Sequence, residues 1–176
     1  MNVLATRLTA QTLTTKKPKS KMEHRAEIIE TGDPRKKSAS IIINAPASII
    51  FNLLADPAMH SVIDGSRSIQ SVIKAPARLS LGARFSMNMK IGIRYRITNR
   101  VVEFEEGKLI AWRHLGRWVW RYELKEITPN QTVVVESFDG NPSPLQWWLQ
   151  FRKAYPFVQI AIAKSLVRLK KYFEEQ

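Results

Sequence analysis

From Arg84 to Asp139 the chain alternates apolar and polar residues at a period of two, and no other feature restricts its fold as much. Phe85, Met87, Met89 and Ile91 fall on one side of an extended segment, with Ser86, Asn88 and Lys90 on the other. Residues 94–105 set Tyr95, Ile97, Asn99 and Val101 against Arg94, Arg96, Thr98 and Arg100. Ile110, Trp112 and His114 then oppose Ala111 and Arg113, and Trp118, Trp120, Tyr122 and Leu124 oppose Arg117, Arg121, Glu123 and Lys125. Successive side chains of a strand point to opposite faces, so most of these segments have one dry face and one wet one. Connections such as Glu106-Gly107-Lys108 and Pro129-Asn130 are too short for a parallel crossover, so the pairing is antiparallel. The doubled Val101-Val102, followed by Phe104, interrupts the alternation and predicts a bulge. A meander with one apolar face follows.

Such a face must be covered. Residues 145–173 carry Val158, Ile162, Leu166, Leu169 and Phe173 down one side at helical spacing. Ser143-Pro144 predicts the helix start, and Pro156 predicts a kink or break near Tyr155. Ahead of the meander, residues 40–44 form a β-branched strand and Ala45-Pro46 opens a helix faced by Ile49, Ile50, Leu53 and Leu54. Asp56-Pro57 ends it, residues 57–63 make a second short helix or turn, and Asp64-Gly65-Ser66 leads into a strand over 68–74. The order is strand, two helices, strands, long helix, which is an α+β domain over residues 37–176.

Residues 1–36 differ. They are rich in Thr, Ser and Lys, include the run Lys16-Lys17-Pro18-Lys19-Ser20-Lys21, and lack an apolar stripe, so we expect a disordered or loosely attached extension. Residues 23–30 carry a short helical signal ended by Gly32-Asp33-Pro34. The first 21 residues resemble a basic organelle-targeting segment, and Met22 is an alternative initiator.

The chain has no Cys, which removes disulfides, thiolate metal sites and thiol nucleophiles, and suits a reducing cytoplasm. Three scattered His without a close carboxylate set predict no metal site. No glycine-rich phosphate loop and no G-x-S-x-G are present, so no cofactor is expected. No apolar run approaches the roughly 20 residues of a membrane-spanning helix. The 28 Lys and Arg against 15 Asp and Glu give a charge of +13, which favours encounters with anionic partners.

Three stretches carry a family resemblance: "IIINAPASIIFNLLADPAMHSVIDGS", "LGARFSMNMKIGIRYRITNRVVEFEEGKLIAW" and "WRYELKEITPNQTVVVESFD", followed by the long helix. With this order they resemble the START-like (SRPBCC) superfamily, and within it the polyketide cyclase/dehydrase and lipid-transport group. The resemblance spans about residues 38–174. It implies a helix-grip fold: a seven-stranded curved antiparallel sheet around the C-terminal helix, with a ligand cavity between them.

Phe85, Met87, Met89, Tyr95, Asn99, Trp112, Trp118, Trp120 and Tyr122 are the expected cavity wall, the alternative being plain core packing against the C-terminal helix. The two Met give an adaptable surface, and Trp and Tyr bring polar tips that want partners when buried. Asn99 on the dry face bonds either a bulged backbone or a ligand. His60 and Asp64, four apart, are the weak catalytic candidates: either an imidazole oriented for acid/base work or a carboxylate that fixes its own loop. Three functions remain. The leading one is binding of a lipid-like or aromatic, polyketide-like metabolite. The second is a cofactor-free cyclase or dehydratase. The third, a nucleic-acid- or ribosome-associated module, is disfavoured because Trp118, Trp120 and Tyr122 alternate with Arg117, Arg121 and Lys125, turning rings and charges to opposite faces.

Overall fold

The computed structural model describes residues 24–175. Eight strands form one antiparallel sheet: β1 (Glu27–Ile29), β2 (Lys36–Ile43), β3 (Ile69–Lys74), β4 (Arg84–Ile91), β5 (Ile93–Glu105), β6 (Leu109–Arg113), β7 (Val119–Thr128) and β8 (Gln131–Asp139). Their order is β1-β2-β8-β7-β6-β5-β4-β3. Strands β3 to β8 thus make an unbroken meander, and β2 joins it on β8. The bulge falls where the doubled valine predicts it, with a register shift between Val101 and Glu103.

The strand count corrects the expected seven. The extra strand, β1, lies in the segment expected to be loosely attached and helical over residues 23–30. It pairs with β2 through Glu27↔Ser40 and Ile29↔Ser38. The physical reason is local: Gly32 has φ +72°, and the Asp33 carboxylate accepts from the Arg35 amide at 2.9 Å. That turn folds the chain back onto the β2 edge, whose unpaired backbone groups capture it. The basic run through Lys21 lies outside the described residues.

Between β2 and β3, α1 (Ala47–Ala55), a 3₁₀ turn (Pro57–Met59) and α2 (His60–Ile63) carry the chain across to the far edge of the sheet. In α1, Ile50, Phe51 and Leu54 are buried, while Ile49 points to solvent. The Asp56 carboxylate accepts from the Ala58 amide at 2.9 Å and starts the 3₁₀ turn. The C-terminal helix is divided into α3 (Gln146–Phe151) and α4 (Ala154–Glu174). The break is at Lys153, φ +49°, which leaves Pro156 in the first turn of α4, where its missing N–H costs nothing. Ser143 does not cap a helix at residue 144; its hydroxyl accepts from the Leu145 amide at 3.1 Å and the helix starts two residues later.

Helix α4 lies along β2 and β8, burying Ile162, Leu166 and Leu169 completely. A loop after α2 is locked onto its middle. The Gly65 amide donates to the Ser165 hydroxyl at 2.9 Å, and Arg168 donates to the Asp64 carbonyl at 2.7 Å. A Cβ on Gly65 would lie 2.3 Å from the Ala161 carbonyl oxygen, so the contact needs glycine for closeness and not for backbone angle. Gly65→Ala should therefore lower stability by about 1–3 kcal/mol, read as a shifted urea midpoint. An unchanged midpoint would show that the loop does not bear on α4.

Candidate ligand cavity

Because α4 follows β2 and β8, the dry face of β4 to β7 is left partly uncovered. The gap is a cavity of about 570 Å³. Met87 and Met89 of β4 form one wall, continued by Tyr95, Ile97 and Asn99 of β5. Trp112 of β6 and Trp120 and Tyr122 of β7 form the next, and Leu149, Val158 and Ala161 close the helical side. Trp148, Phe157 and Tyr95 border the cavity while staying partly open to solvent, which marks its mouth. There Trp118 stacks on Trp148 with ring centroids 6.4 Å apart and planes 6° from parallel. A concave, mainly apolar space of this size is typical of small-molecule sites.

Eight of the nine expected wall residues border the cavity: Met87, Met89, Tyr95, Asn99, Trp112, Trp118, Trp120 and Tyr122. Phe85 does not, and this corrects its placement. It is fully buried behind the wall, edge-on to His60 at 5.4 Å and to Trp112 at 5.8 Å. The imidazole from α2 covers it, a tertiary contact that strand periodicity does not contain.

The His60–Asp64 pair is not assembled as an acid/base couple. The His60 Nε2 lies 2.9 Å from the Leu54 carbonyl, which can only accept, so Nε2 carries the proton. Burial pushes the pKa of His60 down, favouring a neutral ring, and that ring stacks on Trp112 at 4.7 Å. Asp64 spends both oxygens on its own loop. One accepts from the Ser66 amide at 2.9 Å and the Ser66 hydroxyl at 2.5 Å, the other from the Ile69 amide at 2.8 Å. Both residues border the cavity, yet no hydrogen bond joins them.

Sequence reasoning missed Glu136. It lies on β8 between Val134 and Phe138, all three buried on the same face, and it borders the cavity with 2% of its surface exposed. The signal was available, since alternation through Val134 and Phe138 puts Glu136 on the dry side. Across the β7–β8 ladder it faces Tyr122, whose hydroxyl is in hydrogen-bonding range of Glu136 and of Ser165. The Tyr122 O–H donates to the Glu136 carboxyl, while Ser165 accepts from the Gly65 amide beside it. Burial pushes the Glu136 carboxyl well above the ordinary carboxylate range, and the nearby Asp64 charge adds to the effect. The hydrogen bond from Tyr122 opposes it. One carboxyl oxygen, Oε2, is buried without a protein partner.

On the outer face, Arg121 pairs with Glu103 at 3.3 Å and Glu123 at 2.6 Å, while Trp120 and Tyr122 turn to the cavity. Among the described residues no group of three or more metal-ligating side chains comes together, and no helix is long and apolar enough to cross a membrane.

Residues 34–174 match the model of a family described as polyketide cyclase/dehydrase and lipid transport. An uncharacterized protein of Mycobacterium tuberculosis is 39% identical over 113 residues, 64% of this chain and 50% of that protein. The chain therefore spans about half the length of the curated relatives it matches. Among solved structures, protein Ms6760 from Mycobacterium smegmatis aligns with a TM-score of 0.63 at 14% identity, over 84% of this chain and 96% of that one. The Zhui aromatase/cyclase from a Streptomyces species gives a TM-score of 0.57 at 14% identity, over 78% and 94%. These two likenesses concern the fold.

The raised Glu136 pKa gives a signed pH dependence. Above the ordinary value of 4.5 the unfolded chain releases this proton while the folded chain keeps it, so the stability it contributes is lost as pH rises through the folded pKa. His60 acts oppositely, its contribution being lost as pH falls below 6.5, and it is common to wild type and variant. The stability of wild type relative to Glu136→Gln should therefore decline as pH climbs from 4.5, measured by urea unfolding at each pH. A pH-independent difference would place the carboxyl in a solvated setting.

Proposed function

The chain belongs to the polyketide cyclase/dehydrase and lipid-transport family, and we propose that it binds a small hydrophobic molecule, lipid-like or aromatic, in the cavity beneath α4. The observation that carries this reading is the cavity itself, about 570 Å³ with Met and Trp walls and few polar groups. Apolar area removed from water contributes about 25 cal/mol per Å², so such walls supply affinity without a charged anchor. Two adjacent Met side chains on β4 let one wall adapt to ligand shape. The absence of Cys fits a cytoplasmic setting for this binding.

A second reading, a cofactor-free cyclase or dehydratase, draws on the Ser165–Tyr122–Glu136 chain of hydroxyls and carboxyl. That chain supplies an acid/base group beside the cavity, which the His60–Asp64 pair does not. Turnover of a reactive polyketone chain that collapses in Glu136→Gln while binding persists would favour this reading over simple carriage.

Titration with N-phenyl-1-naphthylamine, a neutral fluorescent probe, tests the binding reading. Saturable one-to-one binding is expected, and Met89→Trp should weaken it at least about tenfold, because the indole fills the space beside a partly buried wall residue. Equal binding by wild type and Met89→Trp would place the probe elsewhere.

A further inference from the structure

An unpartnered buried oxygen is costly, and this protein keeps one beside its cavity. We propose that the Glu136 carboxyl is the polar anchor of the cavity and selects apolar ligands that present a neutral hydrogen-bond acceptor, a ketone or related carbonyl oxygen. The proposal rests on the binding reading above and names the ligand class that this cavity takes.

Glu136 is 2% exposed and borders the cavity. Across the β7–β8 ladder the Tyr122 hydroxyl lies beside the Glu136 carboxyl, and Ser165 of α4 lies near the same hydroxyl. The Tyr122 O–H donates to one oxygen of the Glu136 carboxyl. Deep burial and the charge of Asp64 favour its neutral form, which carries an O–H of its own. The other carboxyl oxygen, Oε2, finds no protein partner. Leaving such a donor unpaired is costly, and a ligand acceptor removes that cost.

The same surroundings reject an anionic head at this end. Asp64 already places negative charge near Glu136, and burial disfavours a positive charge on His60 that could balance it. Among the described residues the one Lys or Arg bordering the cavity is Arg152, which is exposed and sits over Trp148 at 6.0 Å, at the mouth. A carboxylate or phosphate would be held there, and a neutral carbonyl would enter first.

Two matched probes test this with the full chain: 2-acetylnaphthalene and 2-ethylnaphthalene, alike in ring and side-chain length and differing in the carbonyl. Affinities are measured for wild type, Glu136→Leu and Glu136→Gln. The ratio of ketone to hydrocarbon affinity should fall about tenfold in Glu136→Leu, the worth of one hydrogen bond from a buried donor. Glu136→Gln should keep most of it, since an amide also donates. Hydrocarbon affinity should change little. In the infrared, the ketone band should move to lower frequency on binding to wild type and not on binding to Glu136→Leu. If both probes bind and the ratio is the same in all three proteins, Glu136 is not the anchor and the cavity reading stands. If neither probe binds wild type, both readings fall together. If Glu136→Leu does not fold, the infrared result on wild type decides, and an unshifted ketone band overturns the proposal.

Discussion

The hydrogen bond from the Gly65 amide to the Ser165 hydroxyl, 2.9 Å long, joins the packing of this protein to its chemistry. Mechanically, it pins the loop after α2 against the middle of α4, at a distance only glycine allows. The helix is thereby held on β2 and β8, and the dry face of the neighbouring strands remains partly uncovered. Chemically, it holds the Ser165 hydroxyl near Tyr122. Tyr122 in turn faces Glu136 across the β7–β8 ladder, so the same loop contact supports a small polar cluster at the edge of an apolar cavity.

A carboxyl in such a place runs against simple core design. An apolar residue at position 136 would avoid the desolvation cost and leave no orphaned oxygen. Tyr122 and Ser165 reduce the cost without removing it. Glu136 is therefore best understood as a polar device facing a space that something else fills. His60 contrasts with it, because its polar nitrogen is spent on Leu54 and its ring serves as wall beside Trp112.

Much of the fold is legible in the sequence for a physical reason: each meander strand declares its faces through its own residues. The bulge at Val101 and the helix break before Pro156 are likewise local, set by a broken alternation and a missing N–H. β1 was missed because its three residues are all exposed and leave no periodic trace. Phe85 lies behind the cavity wall, not on it, because α2 covers that part of the dry face. Spacing suggested a His60–Asp64 couple, but Asp64 begins a loop and turns its oxygens to that loop's amides. Glu136 and Ser165 are the instructive cases. A Glu in a strand and a Ser in an amphipathic helix look like solvent-facing residues until the β7–β8 register and the helix placement bring both to Tyr122.

Native mass spectrometry of the purified full chain tests the central claim, an apolar cavity that holds a small molecule, most directly. One small, mainly apolar molecule should be bound per chain, released on denaturation and absent from Met89→Trp. A bare mass that persists when apolar ligands are added in excess, with a crystallographic interior packed shut between α4 and β4–β7, would contradict it.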